Sequence, residues 1–173
     1  TQDRDDGLSI EIVRSGDDAA SDVIYRIGVH IADAGSIVKQ DTVLDREADR
    51  RMSSLYLPER SISMLPPAIA DDKGSLVPGQ LRLGLSVVAP VSADGEVLDW
   101  EVAPSVLTNR AALTYQEADA ASEDPKAAVH GELSGLAAIS RALRGKRESA
   151  GALNLDRDEL SVKVSSSGDI SVE

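Results

Sequence analysis

The sequence has no cysteine and no phenylalanine, and it contains only one tryptophan and three tyrosines among 173 residues. Without thiols the chain can form neither a disulfide framework nor a thiolate metal site, and a cytoplasmic protein fits this composition. No apolar run reaches membrane-spanning length, so we expect no transmembrane helix and no membrane partner. The core must therefore consist of Leu, Ile, Val and Ala, and each aromatic position is worth locating: Tyr25, Tyr56, Trp100 and Tyr115.

Positive charge is also scarce. The chain has 18 Lys and Arg residues against 30 Asp and Glu residues, which gives a net charge of −12 at pH 7. This balance argues against nucleic acid as a generic partner, because affinity for phosphate normally comes from Lys and Arg. It does not exclude a site where bound cations supply the positive charge. The length and the absence of repeats or low-complexity linkers predict a single domain over residues 1–173.

Several common functional motifs are missing. The sequence contains no glycine-rich phosphate loop of the P-loop or dinucleotide-binding kind, and no G-x-S-x-G nucleophile elbow. An EF-hand starting at Asp3 fails by register, because Leu8 stands where glycine is required and Arg14 where a bidentate glutamate must lie. The two histidines, His30 in a strand and His130 on a helix, are far apart, and we expect structural or solvated roles for both.

Alternating and β-branched segments predict an antiparallel sheet. Residues 8–14 and 22–33 have strand patterns, and residues 81–107 form a hairpin whose turn is Ala93-Asp94-Gly95. A second hairpin is expected where ELSVKV and DISVE flank a serine- and glycine-rich turn. Together with the helices described next, these strands predict an α+β fold with a mixed, largely antiparallel sheet and packed helices.

Helical spacing is found in three segments. The first begins after Asp41 or Thr42 as N-cap and is expected to end near Tyr56, because Pro58 follows. The second begins at residue 113 and ends before Pro125. The third and longest covers residues 126–151 and has a basic C-terminal end, where the helix dipole favours cations. A short helical turn is expected after Pro66–Pro67.

Three aspartates, Asp3, Asp5 and Asp6, stand within four positions at the start of the first strand. Their mutual repulsion costs free energy unless water, donors or cations offset the charge. Either they are solvated at a frayed end, or a divalent cation binds among them. Extended backbone puts Asp3 and Asp5 on one side and Asp6 on the other, so a shared site requires irregular backbone at residues 3–7, which Gly7 would permit.

Eight segments together resemble the catalytic RNB domain of the ribonuclease II family of 3′→5′ exoribonucleases. They occur in the family's order and at its spacings along nearly the whole chain, which makes the resemblance specific. The segments are DRDDGL (3–8), VHIAD (29–33), LDREA (44–48), YLPERSISMLP (56–66), GSLVPG (74–79), SADGEV (92–97), LTYQEA (113–118) and RALRGKRESAGALNLDRDE (141–159).

The resemblance has departures. Gly7 replaces the alanine usual in the family, which we expect to be harmless, and the family's first signature aspartate would precede Asp3 by six residues, before the chain begins. The family domain is roughly twice this long, and its later half carries an arginine-rich stretch and an RNA-stacking aromatic. The resemblance therefore implies that residues 1–173 are the first half of an RNB-type domain, incomplete at both ends. Its partners would be the remaining half and cold-shock or S1-type RNA-binding modules, and the segment alone would be inactive.

The resemblance also assigns site residues. It implies that Asp3, Asp5 and Asp6 bind magnesium, with two ions in the complete site, and that Asp5 is the carboxylate tied most directly to catalysis. Tyr56 would lie near the 3′ end of bound RNA, and Tyr115 matches the family's second active-site tyrosine. For each tyrosine a purely structural role, at the end or the start of a helix, is the alternative.

The function implied is a metal-dependent 3′→5′ exoribonuclease that hydrolyses single-stranded RNA to nucleoside 5′-monophosphates. One alternative is a non-catalytic RNA-binding or scaffold protein that keeps the RNB fold; retention of the visible aspartates and both tyrosines disfavours it. Another is a small acidic interaction domain that binds Ca²⁺, which the EF-hand register failure and the ordered motifs disfavour.

Overall fold

The structure, a computed structural model, describes residues 4–14, 23–58, 60–155, 162–165 and 167–172. Its main element is a four-stranded sheet in the order β1-β2-β5-β6. All three pairings in this sheet are antiparallel. The strands are β1 (Asp6–Arg14), β2 (Val23–Ala32), β5 (Leu81–Ser92) and β6 (Glu101–Thr108). The α+β class with an antiparallel sheet, expected from the sequence, is confirmed.

Two short hairpins complete the strands. In the first, β3 (Leu55–Tyr56) pairs with β4 (Ser61–Ile62). In the second, β7 (Val162–Val164) pairs with β8 (Ile170–Val172), as the terminal sequence pattern predicted.

The turn between β5 and β6 follows the expected Asp-Gly chemistry. Gly95 has a φ of +83°, which favours glycine, and its amide donates to the carbonyl oxygen of Ser92 at 2.9 Å. A Cβ on Gly95 would also lie 2.9 Å from the backbone carbon of Ala142, so this turn packs directly on a helix. The salt bridge between Asp94 and Lys146, at 3.2 Å, lies at the same junction.

The sheet has one apolar face and one polar face. Strand alternation and the register place the apolar residues on a common side: Leu8, Ile10, Ile12, Tyr25, Ile27, Val29, Ile31, Leu85, Val87, Ala89, Val91, Val102 and Val106. The long helix α3 (His130–Ser149) packs here, since a Cβ on Gly135 would lie only 2.8 Å from Ile10 Cδ1. Val91 and Ile139 are buried in this part of the core.

A chain of hydrogen bonds crosses the polar face through all four strands. Ser9 Oγ lies 2.8 Å from His30 Nε2, and His30 Nδ1 lies 2.7 Å from Ser86 Oγ. Ser86 Oγ contacts Ser105 Oγ at 2.6 Å, and Ser105 donates to the carbonyl oxygen of Gly84. Because Ser105 uses its proton there, Ser86 donates to Ser105 and His30 donates through Nδ1, which leaves Nε2 to accept from Ser9. Burial lowers the pKa of His30, in keeping with a neutral structural histidine.

The first helix, α1 (Val43–Arg51), begins at the expected N-cap, Thr42, whose side chain accepts from the amide of Asp45. Its expected end near Tyr56 is wrong: the helix ends at Arg51, and Met52 follows in the left-handed region with φ +64°. Leu55 and Tyr56 instead pair with Ile62 and Ser61 across a tight turn. Because serine is a weak helix former, Ser53 and Ser54 do not extend the helix, and the chain is free to form the β3–β4 pairing.

The remaining helical segments are close to expectation. A six-residue helical turn, Ala68–Lys73, follows Pro67, and α2 (Tyr115–Glu123) begins at Thr114 with a complete capping box. Helix α3 starts four residues later than the sequence pattern suggested. The Asp124 carboxylate accepts from the amide of Lys126, and the Asp124 carbonyl accepts from Ala127, so a turn occupies this stretch. Among the residues described, no helix is both long and apolar enough to cross a membrane.

Candidate active site

A cleft of about 950 Å³ lies where three parts of the chain meet: the start of β1, the Tyr56 hairpin and the segment 109–117 before and into α2. Asp5, Asp6, Tyr56 and Tyr115 all line it. These are four of the five site residues that the resemblance assigned. The fifth, Asp3, lies outside the described residues. Positions far apart in sequence are thus brought together on one surface.

The backbone of the acidic segment is more regular than expected. Asp6 pairs with Ile31 and Gly7 with His30 in the β1–β2 ladder, and the carbonyl of Asp5 accepts a 2.8 Å bond from the amide of Ala32. Gly7 has no left-handed φ, so the irregular backbone expected around it is wrong for the paired residues 6–7. Asp5 and Asp6 are both exposed and both border the cleft without such a distortion.

The structure leaves room for a small side chain at position 7. A Cβ built there would lie 3.4 Å from Leu76 Cδ1, which is close to ordinary van der Waals contact. An alanine would therefore fit with little rearrangement, as the sequence comparison with the family motif suggested.

The donor chemistry of the cleft suits a hard divalent cation. Among the described residues no group of three or more His, Cys, Asp or Glu side chains could hold a metal ion by itself. Magnesium, however, keeps several waters and commonly binds through one or two carboxylates together with substrate phosphate. Asp5 and Asp6 are both exposed and line the open cleft, so a carboxylate there, together with waters and substrate phosphate, fits that mode of binding.

Tyr56 is 61% exposed and lies in β3, where Leu57 donates its amide to the carbonyl of Arg60 at 2.9 Å to close the hairpin. Tyr115 is 92% exposed and is the first residue of α2. The large exposure argues against either tyrosine serving mainly to fill the core. Both residues line the cleft.

The start of α2 is rigidly built. The backbone amide and the hydroxyl of Thr114 donate to the Glu117 carboxylate, which lowers the pKa of Glu117, and the Glu117 amide donates back to Thr114 Oγ1. This reciprocal cap fixes the backbone next to Tyr115.

A buried dipeptide, Ser75–Leu76, connects the walls of the cleft. The amide of Arg4 donates to Ser75 Oγ at 2.9 Å, and the amide of Leu76 donates to the carbonyl of Arg4 at 2.8 Å. On its other side, the carbonyl of Leu76 accepts from Asn109 Nδ2 at 2.8 Å. The sequence indicates no role for Ser75, Leu76 or Asn109, although Ser75 and Leu76 belong to GSLVPG (74–79), one of the segments that resemble the family.

The arginines of α1 do not line this cleft. Glu47 receives hydrogen bonds from both Arg50 and Arg51 at 2.7 Å, which lower the pKa of Glu47 to about 2. Arg51 also donates to the carbonyl of Ser63. These side chains form a local ion-pair group on the surface.

Sequence comparisons relate the chain to proteins that contain an RNB domain. The profile of the RNB domain matches residues 1–172. Ribonuclease R of Thermotoga maritima is 33% identical over 175 residues, covering 98% of this chain and 24% of that protein. Two Arabidopsis thaliana proteins, DIS3-like exonuclease 2 and Inactive exonuclease DIS3L2, are each 34% identical over 173 residues, covering 91% of this chain and 16% of each protein.

A solved structure has the same fold. RNase R of Mycoplasma genitalium, in complex with ribose methylated single-stranded RNA, matches with a TM-score of 0.85 at 20% identity, covering 100% of this chain and 27% of that one. The chain thus spans 24% or less of the length of the three similar proteins named above.

Proposed function

Because the chain belongs to the RNB-domain family of ribonucleases, we propose that the protein carrying it is a metal-dependent 3′→5′ exoribonuclease. It hydrolyses single-stranded RNA and releases nucleoside 5′-monophosphates. The observation that supports this proposal most is the shared cleft: two carboxylates, Asp5 and Asp6, and two exposed rings, Tyr56 and Tyr115, line one surface. The structure of M. genitalium RNase R in complex with ribose methylated single-stranded RNA supports the substrate class.

The carboxylates hold the metal. Asp5 and Asp6, with Asp3 as a further ligand, offer the hard oxygen donors that magnesium prefers, and two ions are expected in the complete site. Bound magnesium supplies positive charge that offsets the scissile phosphate and favours loss of a proton from the attacking water. Asp5 is the carboxylate that orients this water. Its main chain is fixed to β2 through Ala32, so the backbone that carries this carboxylate needs little reorganisation when substrate binds.

The tyrosines position the RNA. Stacking of a base on an aromatic ring is worth about 1–3 kcal/mol and is insensitive to sequence. Tyr56 holds the 3′-terminal nucleotide next to the acidic residues, and Tyr115 provides a second contact in the same cleft. With a net charge of −12, the chain contributes little to phosphate neutralisation away from the metal. We therefore assign the basic part of the RNA path to the rest of the RNB domain and to cold-shock or S1-type modules, in a cytoplasmic protein.

A second candidate is a non-catalytic RNB protein that binds RNA or acts as a scaffold. The A. thaliana protein named Inactive exonuclease DIS3L2 matches this chain at the same 34% identity as DIS3-like exonuclease 2, so overall similarity does not separate the two functions. The presence of Asp5 and Asp6 on the cleft favours the active alternative.

End-labelled RNA tests the proposal. The full natural protein should shorten a 5′-labelled single-stranded RNA stepwise from its 3′ end in the presence of Mg²⁺, and a 3′-labelled RNA should release labelled mononucleotide first. Excess EDTA should stop both reactions. Binding without any shortening in Mg²⁺ would favour the non-catalytic alternative, and internal cleavage would contradict the exonuclease assignment.

A further inference from the structure

Arg4, the residue before Asp5, is hydrogen-bonded to two residues that lie outside the four-stranded sheet. The amide of Arg4 donates to the hydroxyl oxygen of Ser75, and the carbonyl of Arg4 accepts from the amide of Leu76. On the sheet side the next residue, Asp5, accepts from Ala32. The backbone of residues 4–5 is therefore hydrogen-bonded to the Ser75–Leu76 dipeptide on one side and to β2 on the other.

The dipeptide is itself firmly fixed. Ser75 is 0% exposed and Leu76 is 1% exposed, so both are fully buried. The amide of Ser75 donates to the carbonyl of Asp72, and Arg82 Nε donates to the carbonyl of Ser75, each at 2.9 Å. Arg82 is held in turn by Asp72 at 2.6 Å. Such a segment has little freedom to adjust if the group it supports moves.

The dipeptide is also hydrogen-bonded to the segment that leads to Tyr115. Asn109 donates its side-chain amide to the carbonyl of Leu76 and accepts from the amide of Ala111, which lies in the segment leading to Tyr115. The carbonyl of Asn109 accepts from the amide of Gly79 at 2.8 Å. The two walls of the cleft are thus connected through one buried support.

We propose that Ser75 is a positioning residue of the active site: its hydroxyl holds the Arg4 amide and thereby sets where the Asp5 and Asp6 carboxylates stand relative to the Tyr115 wall. This inference rests on the proposed metal-dependent function. Ser75 is fully buried and does not line the cleft. Its effect on the reaction passes through the backbone of residues 4–6.

The test compares two buried hydroxyls in the full natural protein. Ser75→Ala removes the acceptor for Arg4. Ser86→Ala is the matched control, because Ser86 is 5% exposed, makes hydrogen bonds in the polar chain across the sheet, and does not line the cleft. Ser75→Cys has a slightly larger side chain with a weaker acceptor and serves if Ser75→Ala does not fold.

Three quantities are measured for each variant: the affinity for Mn²⁺ by electron paramagnetic resonance, the single-turnover rate as a function of Mg²⁺ concentration, and the affinity for single-stranded RNA in EDTA. Ser75→Ala should weaken Mn²⁺ binding, raise the Mg²⁺ requirement and lower the rate by about tenfold or more, since small misplacements of reacting groups are costly. RNA affinity should stay close to that of the wild type. Ser75→Cys should be intermediate, and Ser86→Ala should leave all three quantities near wild type.

The outcomes separate this inference from the function on which it rests. If the wild type binds Mn²⁺ and degrades RNA while the Ser75 variants behave like Ser86→Ala, the positioning role is wrong and the function stands. If the wild type neither binds Mn²⁺ nor degrades RNA, the proposed function is wrong and the inference falls with it.

Discussion

The amide of Ala32 donates a 2.8 Å hydrogen bond to the carbonyl oxygen of Asp5. Ala32 is the last residue of β2, which lies between β1 and β5 in the sheet. Asp5 therefore stands one residue before β1 and is still tied to an interior strand. Asp5, which borders the open cleft, is in this way attached to a strand that is hydrogen-bonded on both of its edges.

Replacing Tyr56 or Tyr115 by alanine should weaken binding of single-stranded RNA. Loss of one stacking contact is worth about 1–3 kcal/mol, or roughly 5- to 150-fold in the dissociation constant. Fluorescence anisotropy with labelled RNA in EDTA measures this change. The matched phenylalanine variants keep the ring and should bind nearly as well as the wild type. Equal losses in the alanine and phenylalanine variants would show that stacking is not the contribution of these side chains.

Gly95→Ala should destabilise the protein more than Gly151→Ala. Both glycines have a left-handed φ, +83° and +93°, so alanine pays a similar backbone cost of about 1–2 kcal/mol at either site. A Cβ at Gly95 also meets the backbone of Ala142 at 2.9 Å, whereas at Gly151 nothing lies within 4 Å. The overpacking should add about 1–3 kcal/mol, read from the unfolding midpoints of the two variants. Equal midpoints would mean that the β5–β6 turn does not pack on α3 as described.

The ion pairs of Glu47 with Arg50 and Arg51 should make the stability of the protein depend on pH. Hydrogen bonds from Arg50 and then Arg51 lower the pKa of Glu47 from 4.5 to about 2 in the folded state. A carboxyl with a lowered folded-state pKa stabilises fully above pH 4.5 and loses that contribution as the pH falls toward 2. Thermal unfolding followed between these pH values should show a smaller decline for Glu47→Gln than for the wild type. Parallel curves would rule out a contribution from Glu47.

The features predictable from the sequence are the local ones. The β5–β6 hairpin was predicted from Asp94-Gly95, and the N-cap of α1 was narrowed to Asp41 or Thr42, because a turn or cap is decided by a few neighbouring residues. The end of α1 was wrong because Leu55 and Tyr56 pair with residues after the next turn. The helical spacing of residues up to Tyr56 contains no information about Ser61 and Ile62, with which β3 pairs.

In the candidate site too, the identity of single residues could be predicted from the sequence, whereas their arrangement in space could not. Asp5, Asp6, Tyr56 and Tyr115 could be named from sequence motifs, yet only the fold brings them to one cleft. Asp6 and Gly7 were expected in irregular backbone, whereas they pair regularly with β2. The support from Ser75 could not be read from the sequence, since it acts on Arg4 across 71 positions of the chain.

Asp5→Asn in the full natural protein tests the central claim most directly. Asparagine keeps the size and one acceptor oxygen but removes the charge, so the transition state should suffer more than bound RNA. Asp119→Asn removes the same charge from an exposed position of α2 that does not line the cleft, and it should behave like the wild type. Single-turnover degradation in Mg²⁺ and RNA affinity in EDTA are measured on the same preparations. The account predicts that Asp5→Asn lowers the rate about 100-fold or more, about 3 kcal/mol in barrier, with RNA affinity retained or slightly increased. A rate near that of the wild type, or an affinity that falls in step with the rate, would contradict it.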